Sequence, residues 1–179
     1  MGKSDAYVAF LRGINVGGNK KVPMAALKKA FEKMGHRDVR TVLNSGNDAF
    51  EAKDSTAVSA KGLSAALAKT FGFEIPVLLR TRAELEKLTK SEPFKGVKLA
   101  PETRLYVTFL DSKAKTNLKI PYASPDFPLK ILKVTPGEVL SVVVLSAKGG
   151  TIEAMAVLEK EFGRNLTTRN WNTVQKMLA

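Results

Sequence analysis

The order of apolar patterns between residues 6 and 80 limits the fold of this chain more than any other feature. Residues 7–11 form a short apolar run, typical of a buried strand. From Pro23 apolar side chains recur every three or four residues up to Met34, which predicts an amphipathic helix ending at Gly35. Residues 38–43 and 47–52 form two strands around a turn, residues 55–71 a helix, and residues 75–80 a strand. The resulting β-α-β-β-α-β order predicts a ferredoxin-like first half.

The second half predicts a less regular α+β arrangement. Residues 104–110 repeat the Tyr-Val-x-Phe-Leu pattern of residues 7–11, and residues 129–134 and 138–145 read as a hairpin. We expect an α+β protein with a lobe at residues 1–90, a linker at 91–103, and a second lobe with a terminal helix at 104–179. Because both faces of the first strand are apolar, the first half is expected to pack on the second, with a homodimer as the alternative and a monomer favoured.

Composition excludes several kinds of chemistry. The 179 residues contain no Cys and one His, so disulfides, Cys zinc sites and a Cys nucleophile are excluded; neither a metal nor a cofactor is expected. No apolar run is long enough to span a bilayer, and the chain begins without a signal core, which favours the cytoplasm. The formal net charge of +12 favours nucleic acid or phosphorylated ligands as partners, although a lysine-rich surface that aids solubility is the plainer interpretation.

The glycine-rich segment after the first strand is the main candidate binding site. A glycine loop that enters a helix can turn backbone N–H groups and basic side chains toward an anion. It is not a Walker A loop, because Asn19 stands where Lys is required. A turn that merely uses Gly for positive φ is an equal alternative. The candidate ligand-binding residues in this segment are Arg12, Gly13, Asn15, Gly17, Gly18 and Lys20.

A polar turn, Asn44-Ser45-Gly46-Asn47, follows the second strand. In the predicted order the first and second strands run in the same direction, so this turn and the glycine loop should lie at the same end of the sheet. Asn44, Ser45 and Asn47 therefore join the candidate site. Taken alone, the turn is better explained as structural.

A second cluster lies near the end of the chain. Thr168 is expected to cap the terminal helix and Trp171 to anchor it, but Arg169, Asn170 and Asn172 make the stretch more polar than anchoring requires. These four residues, 169–172, form a second candidate binding cluster. His36 follows a predicted helix end, where its charge is favourable, and is expected to be structural.

These segments resemble the bacterial DUF1697 family, a family of unknown function. The resemblance rests on YVAFLRGINVGGNKKVPMAALKKAFEKMGHRDVRTVLNSGN at residues 7–47 and TTRNWNTVQKM at residues 167–177. It implies an α+β fold in a bacterial cytoplasm and no particular catalytic residue. Residues 147–154 depart from the family pattern, in which an Asp-Gly-Ile-Gly-Arg-Ser-Lys-Leu-like segment is usual.

The best functional interpretation is binding of a phosphate-bearing ligand, either nucleic acid or a nucleotide-like molecule, at the glycine loop. Residues 47–51 lack the aromatic platform of an RNA-recognition module, which makes sequence-specific RNA binding a weaker interpretation than anion binding. An enzyme using the same pocket, with Ser45 or a Lys as nucleophile or base, lacks an identifiable activating partner. A protein-interaction module is the third alternative.

Overall fold

The computed structural model describes residues 5–147 and 149–179 and shows a mixed α+β fold with two antiparallel sheets and, in these residues, five helices. The chain divides into two compact units, the first running to Lys90 and adding Gln175–Ala179, the second comprising Ser91–Val174. The first unit contains β1 (Ala6–Leu11), α1 (Met24–Lys33), β2 (Arg37–Thr41), β3 (Asn47–Glu51), α2 (Ala60–Phe71), β4 (Val77–Thr81) and α3 (Arg82–Lys90). The remaining elements are β5 (Thr103–Leu110), β6 (Tyr122–Ala123), β7 (Leu129–Val134), β8 (Glu138–Val144), α4 (Thr151–Phe162), β9 (Leu166–Asn170) and α5 (Trp171–Leu178).

The first sheet has the strand order β2-β3-β1-β4, and each neighbouring pair is antiparallel. One face of β1 carries Ala9 and Leu11, which pack with Leu27 and Phe31 of α1 and with Leu67 of α2 in a buried core. Because β1 and β2 are both antiparallel to β3, they run in the same direction. The loop after β1 and the turn after β2 therefore leave the sheet at the same end.

The helices of the first unit begin and end at the residues that local chemistry favours. The Ser59 hydroxyl accepts a hydrogen bond from the Gly62 N–H at 3.0 Å and caps α2. α2 ends at Gly72, which is in the left-handed conformation. Thr81 and Glu84 form a capping box at the start of α3: the Thr81 N–H donates to the Glu84 carboxylate at 2.7 Å, and the Glu84 N–H donates to the Thr81 hydroxyl at 3.1 Å.

The second sheet has the order β6-β7-β8-β5-β9, and α4 packs on one face through Ala154 and Leu158. The β7–β8 hairpin confirms the one predicted from the sequence. Thr168 does not cap the terminal helix: it lies in β9, opposite Thr108, and the two hydroxyls are 2.7 Å apart. The helix begins at Trp171 instead, because the preceding residues complete the sheet beside β5.

The division into a lobe at residues 1–90, a linker at 91–103 and a lobe at 104–179 stays a prediction. Residues 91–102 contain neither helix nor strand and lie between α3 and β5. Along α5, Trp171–Val174 groups with the second unit and the residues from Gln175 onward with the first.

Candidate anion-binding site

The loop after β1 and the turn after β2 lie together, as the strand directions predict. The Leu11 N–H donates to the Gly46 carbonyl at 2.8 Å, and the Asn15 side-chain amide donates to the Asn44 carbonyl at 2.8 Å. The bonded residues are 35 and 29 positions apart in sequence. The two segments of the candidate site therefore form one surface at the end of the sheet.

The glycine loop is a tight hairpin rather than an open cradle. The Asn19 N–H donates to the Val16 carbonyl and the Asn15 N–H to the Lys20 carbonyl, each at 3.2 Å. Gly17 and Gly18 occupy the tip with φ values of +60° and +77°, a combination that glycine adopts without strain. Gly13, also at positive φ, is exposed beside it.

Asn15 fixes this hairpin to its surroundings. Its side-chain oxygen accepts from the Val22 N–H at 2.8 Å, and its amide nitrogen donates to the Val22 and Asn44 carbonyls at 2.9 and 2.8 Å. Oxygen and nitrogen are therefore both engaged with backbone. Asn15 joins the loop, the start of α1 and the β2–β3 turn.

Asn47 stabilises the β2–β3 turn from within. The residue is fully buried, and its amide nitrogen donates to the Val42 carbonyl at 2.9 Å and to the Ser45 hydroxyl at 3.0 Å. Asn44 and Ser45 are exposed at the tip. The polar surface of the turn is therefore made by Asn44 and Ser45, and Asn47 holds them in place.

The basic residues of the segment occupy different positions. Arg12 is half-buried, and its backbone N–H donates to the Pro76 carbonyl at 2.9 Å. The Lys20 ammonium donates to the Glu74 carbonyl at 3.4 Å and lies 5.8 Å from the centre of the Phe73 ring. Lys21 is exposed and forms no ion pair with any residue that the structure describes.

A cavity of about 430 Å³ lies between the glycine hairpin, the polar turn and the start of α1. α1 begins after Pro23 with no side-chain cap and with no acidic residue in its first turn. Lys21 and Met24, which the sequence analysis did not place among the candidates, border this cavity, whereas Arg12 does not. The useful sequence signal was Pro23, which marks a helix start without a capping side chain. The lining residues are Asn15, Gly18, Lys21, Val22, Pro23, Met24 and Asn44.

The second candidate cluster belongs to the second unit and divides into two parts. The Arg169 guanidinium donates to the Thr167 hydroxyl at 2.7 Å and to the Thr168 carbonyl at 3.0 Å. Trp171 anchors the start of α5, with its ring 5.3 Å from that of Phe94 in an edge-to-face contact. Asn170 accepts a hydrogen bond from the Asn172 N–H at 3.0 Å. Asn170, Trp171 and Asn172, but not Arg169, line a cavity of about 300 Å³.

His36 is packed rather than poised for catalysis. Its ring lies 6.1 Å from that of Phe31 and 4.6 Å from that of Phe50, measured between ring centres, and its Nδ1 atom is buried without a hydrogen-bond partner. Burial lowers the pKa of His36. The prediction that a positive charge on His36 is favourable at the helix end is therefore wrong, because the surroundings favour the neutral ring.

Comparison with known proteins identifies the family. The sequence profile described as "Protein of unknown function (DUF1697)" matches residues 5–139, three quarters of the chain. The chain belongs to the DUF1697 family. The resemblance noted in the glycine loop and the polar turn is thereby confirmed.

One solved structure has the same fold as this DUF1697 protein. The conserved bacterial protein from Streptococcus pneumoniae shares 23% identity, covers 97% of this chain and 96% of its own, and superposes with a TM-score of 0.64. At that identity the likeness concerns the fold alone. A comparison with curated proteins found no match.

The part of the chain that the structure describes contains neither a membrane-spanning helix nor a metal-binding cluster. No helix there combines the length and apolar character needed to cross a membrane. No three His, Cys, Asp or Glu side chains among those residues lie close enough to hold a metal ion.

Proposed function

We propose that this DUF1697 protein binds the phosphate group of a small phosphorylated molecule in the cavity at the N-terminus of α1. The observation that carries the proposal is the uncapped start of α1 at the wall of a cavity. The first N–H groups of a helix have no intrahelical partner, and the helix dipole favours negative charge beside them. A phosphate supplies both the acceptors and the charge.

The charges around the cavity support an anion. Lys21 is among the lining residues, and none of the described lining residues is acidic. Because Lys21 has no described ion-pair partner, its ammonium is available to a ligand. Lys20 lies next in the chain, although its ammonium is drawn toward Phe73 and Glu74.

The size and rigidity of the site support a small ligand. A volume of about 430 Å³ lies in the range of small-molecule pockets, and the exposed Asn44 and Ser45 side chains can hydrogen-bond a sugar or phosphate oxygen. Three non-glycine residues near the site have positive φ: Asn15 at +55°, Lys20 at +47° and Leu43 at +60°. Positive φ costs free energy at residues such as Lys20 and Leu43, and strained backbone of this kind clusters at functional sites.

The test is calorimetric titration of the full chain with AMP and, in parallel, with adenosine. We expect AMP to bind more tightly, and Lys21→Gln to weaken AMP by roughly five-fold, the effect of one exposed charge of about 1 kcal/mol. Lys29→Gln, an exposed charge on α1 outside the cavity lining, is the matched control and should leave AMP binding unchanged. Equal binding of adenosine and AMP, or equal effects of the two variants, contradicts the proposal.

Arg12→Ala tests the broader site predicted from the sequence. If the ligand extends beyond the cavity to Arg12, loss of this charge-assisted contact should weaken AMP by about 1.5–3 kcal/mol while the melting temperature stays unchanged. An unfolded variant would show that Arg12 is structural. Unaltered AMP binding together with a weakened Lys21→Gln variant would restrict the site to the cavity.

Nucleic acid is the second candidate ligand, favoured by the net charge of +12. We expect binding of a mixed-sequence oligonucleotide to weaken steeply with salt and to show little sequence preference. Absence of binding at low salt would leave the charge as a solubility feature. The catalytic alternative stays a hypothesis, since the hydrogen bond described at the Ser45 hydroxyl comes from the Asn47 amide, which is not a base.

We further propose a ferredoxin-like topology for the first unit and a cytoplasmic location. The strand order β2-β3-β1-β4, with α1 and α2 packed on one face, supports the topology. The cytoplasmic location is the expectation drawn from the sequence. A protein-interaction module remains the outcome if neither AMP nor an oligonucleotide binds.

A further inference from the structure

We propose that the second unit carries a separate site for an amphipathic organic anion, an alkyl chain ending in a carboxylate. The site is a groove of about 710 Å³ on the face of the second sheet opposite α4. It does not depend on the phosphate site, since all its lining residues lie within Ser91–Val174.

The alternation of β7 and β8 creates an apolar floor. Leu129, Ile131 and Val143 face α4 and pack with Ala154 and Leu158. Successive side chains of a strand point to opposite faces, so the residues between them lie on the other face. Lys130, Val142 and Val144 occupy these alternate positions, and Lys130 lies directly opposite Val142 in the register. Leu132, at the irregularity between Ile131 and Lys133, lines the groove beside them.

This face presents apolar surface that a soluble domain normally covers. Val144, the last residue of β8, is 47% exposed and presents its side chain to the groove. Pro93 and Val97 line the groove from the segment after α3, and Phe127 and Pro128 line it from the loop before β7. A concave apolar surface with walls of this kind is suited to a small hydrophobic molecule. Since Phe127 carries the one aromatic ring among the described lining residues, an alkyl chain fits better than a stacked aromatic system.

The charges at the groove select an anion. Lys95, Lys98 and Lys130 are in its lining, and no acidic residue is among the described residues there. Lys95 is paired with Glu92 at 2.8 Å. Lys98 and Lys130 form no ion pair with a described residue, so their ammonium groups are available to a ligand. An apolar floor edged by two unpaired cations complements a chain with one carboxylate.

The test is calorimetric titration of the full chain with decanoate, decanol and decyltrimethylammonium, each below its micelle-forming concentration. We expect decanoate to bind more tightly than decanol, and the cation not to bind. The double variant Lys98→Gln, Lys130→Gln should weaken decanoate roughly five- to ten-fold and leave decanol unchanged, since each of these exposed charges at an open groove contributes about two- to three-fold. Lys119→Gln with Lys160→Gln is the matched control, because it removes two exposed charges of the same unit outside the groove lining.

A second variant tests the floor. Val144→Glu places a carboxylate at a half-exposed position in the groove and should abolish decanoate binding while the circular dichroism spectrum stays unchanged. If this variant fails to fold, the lysine variants decide alone. Equal affinity for the three probes, equal effects of the groove and control variants, or no binding of decanoate would overturn the proposal.

Discussion

Gly46 lies where the turn after β2 meets the loop after β1. A Cβ atom built on it would lie 2.7 Å from the Leu11 Cβ and 3.0 Å from the Ile14 Cδ1, and its φ is +76°. Gly46→Ala therefore combines backbone strain with overlap against β1, and we expect a loss of about 2–4 kcal/mol in the free energy of unfolding, measured in urea.

Gly72→Ala is the control for this substitution. Its φ of +81° imposes similar backbone strain, but an added Cβ meets nothing within 4 Å. We expect a loss of about 1–2 kcal/mol from strain alone. Equal losses in the two variants would show that the close approach of Gly46 to β1 contributes nothing to stability.

His36 gives the protein a defined pH response. Burial lowers its pKa below the usual value of 6.5, so the unfolded chain takes up the proton before the folded protein does. Stability from this residue is complete above about pH 6.5 and is lost as the pH falls toward the lowered folded pKa. We expect the stability of the natural protein to fall more than that of His36→Phe between about pH 8 and about pH 5, measured by urea unfolding. Because the sequence contains one His, parallel pH profiles would contradict the prediction.

Residue roles at the candidate site were only partly predictable. The convergence of the loop and the turn follows from strand direction, which element order dictates. The bonds of Asn15 and Asn47 do not follow, because an Asn side chain can serve either a ligand or nearby backbone and the sequence looks the same in both cases. The preference for Arg12 over Lys21 had the same origin: the number of basic residues is visible in the sequence, but which one borders a cavity is a property of the folded loop.

At the scale of elements, two arginines hold the end of α5. The Arg40 guanidinium donates to the Met177 carbonyl at 2.9 Å and that of Arg82 to the Leu178 carbonyl at 2.6 Å. The last carbonyls of a helix lack intrahelical partners, and basic side chains can satisfy them. We expect Arg40→Met to lower stability by about 1 kcal/mol and to speed hydrogen exchange in the last turn of α5.

Arg37→Met provides the comparison for Arg40. Arg37 lies on the same strand and is exposed, and its side chain makes no hydrogen bond or ion pair with a described residue. We expect its exchange pattern to match that of the natural protein. Faster exchange in both variants would attribute the effect to charge on β2 rather than to the bond at Met177.

Helices and strands with a strong apolar periodicity could be predicted from the sequence. A strand that forms only through hydrogen bonds to its neighbour could not. β1 and α1 appear in the sequence because apolar residues recur at the strand and helix periods. β9 does not, since Leu-Thr-Thr-Arg-Asn has a single apolar residue and becomes a strand through its bonds to β5. The error at Thr168 follows from this, because a Thr before a helical pattern is also a good cap.

At the scale of the whole molecule, the two units share one helix. Trp171–Val174 of α5 groups with the second unit and Gln175 onward with the first, so one helix contains residues of both units. When one unit unfolds, it removes part of the helix that the other needs. We therefore expect a single thermal transition by calorimetry.

Gln175→Pro separates the units at this point. Gln175 is exposed, so its side chain is dispensable, but proline removes the N–H and clashes with the preceding turn at a cost of about 3 kcal/mol. We expect the single transition to divide into two, whereas Gln175→Ala, which keeps the N–H and favours helix, should preserve one transition at an equal or higher temperature. Two well-separated transitions in the natural protein would show that the helix does not couple the units, and one undivided transition in Gln175→Pro would place the coupling elsewhere than in α5.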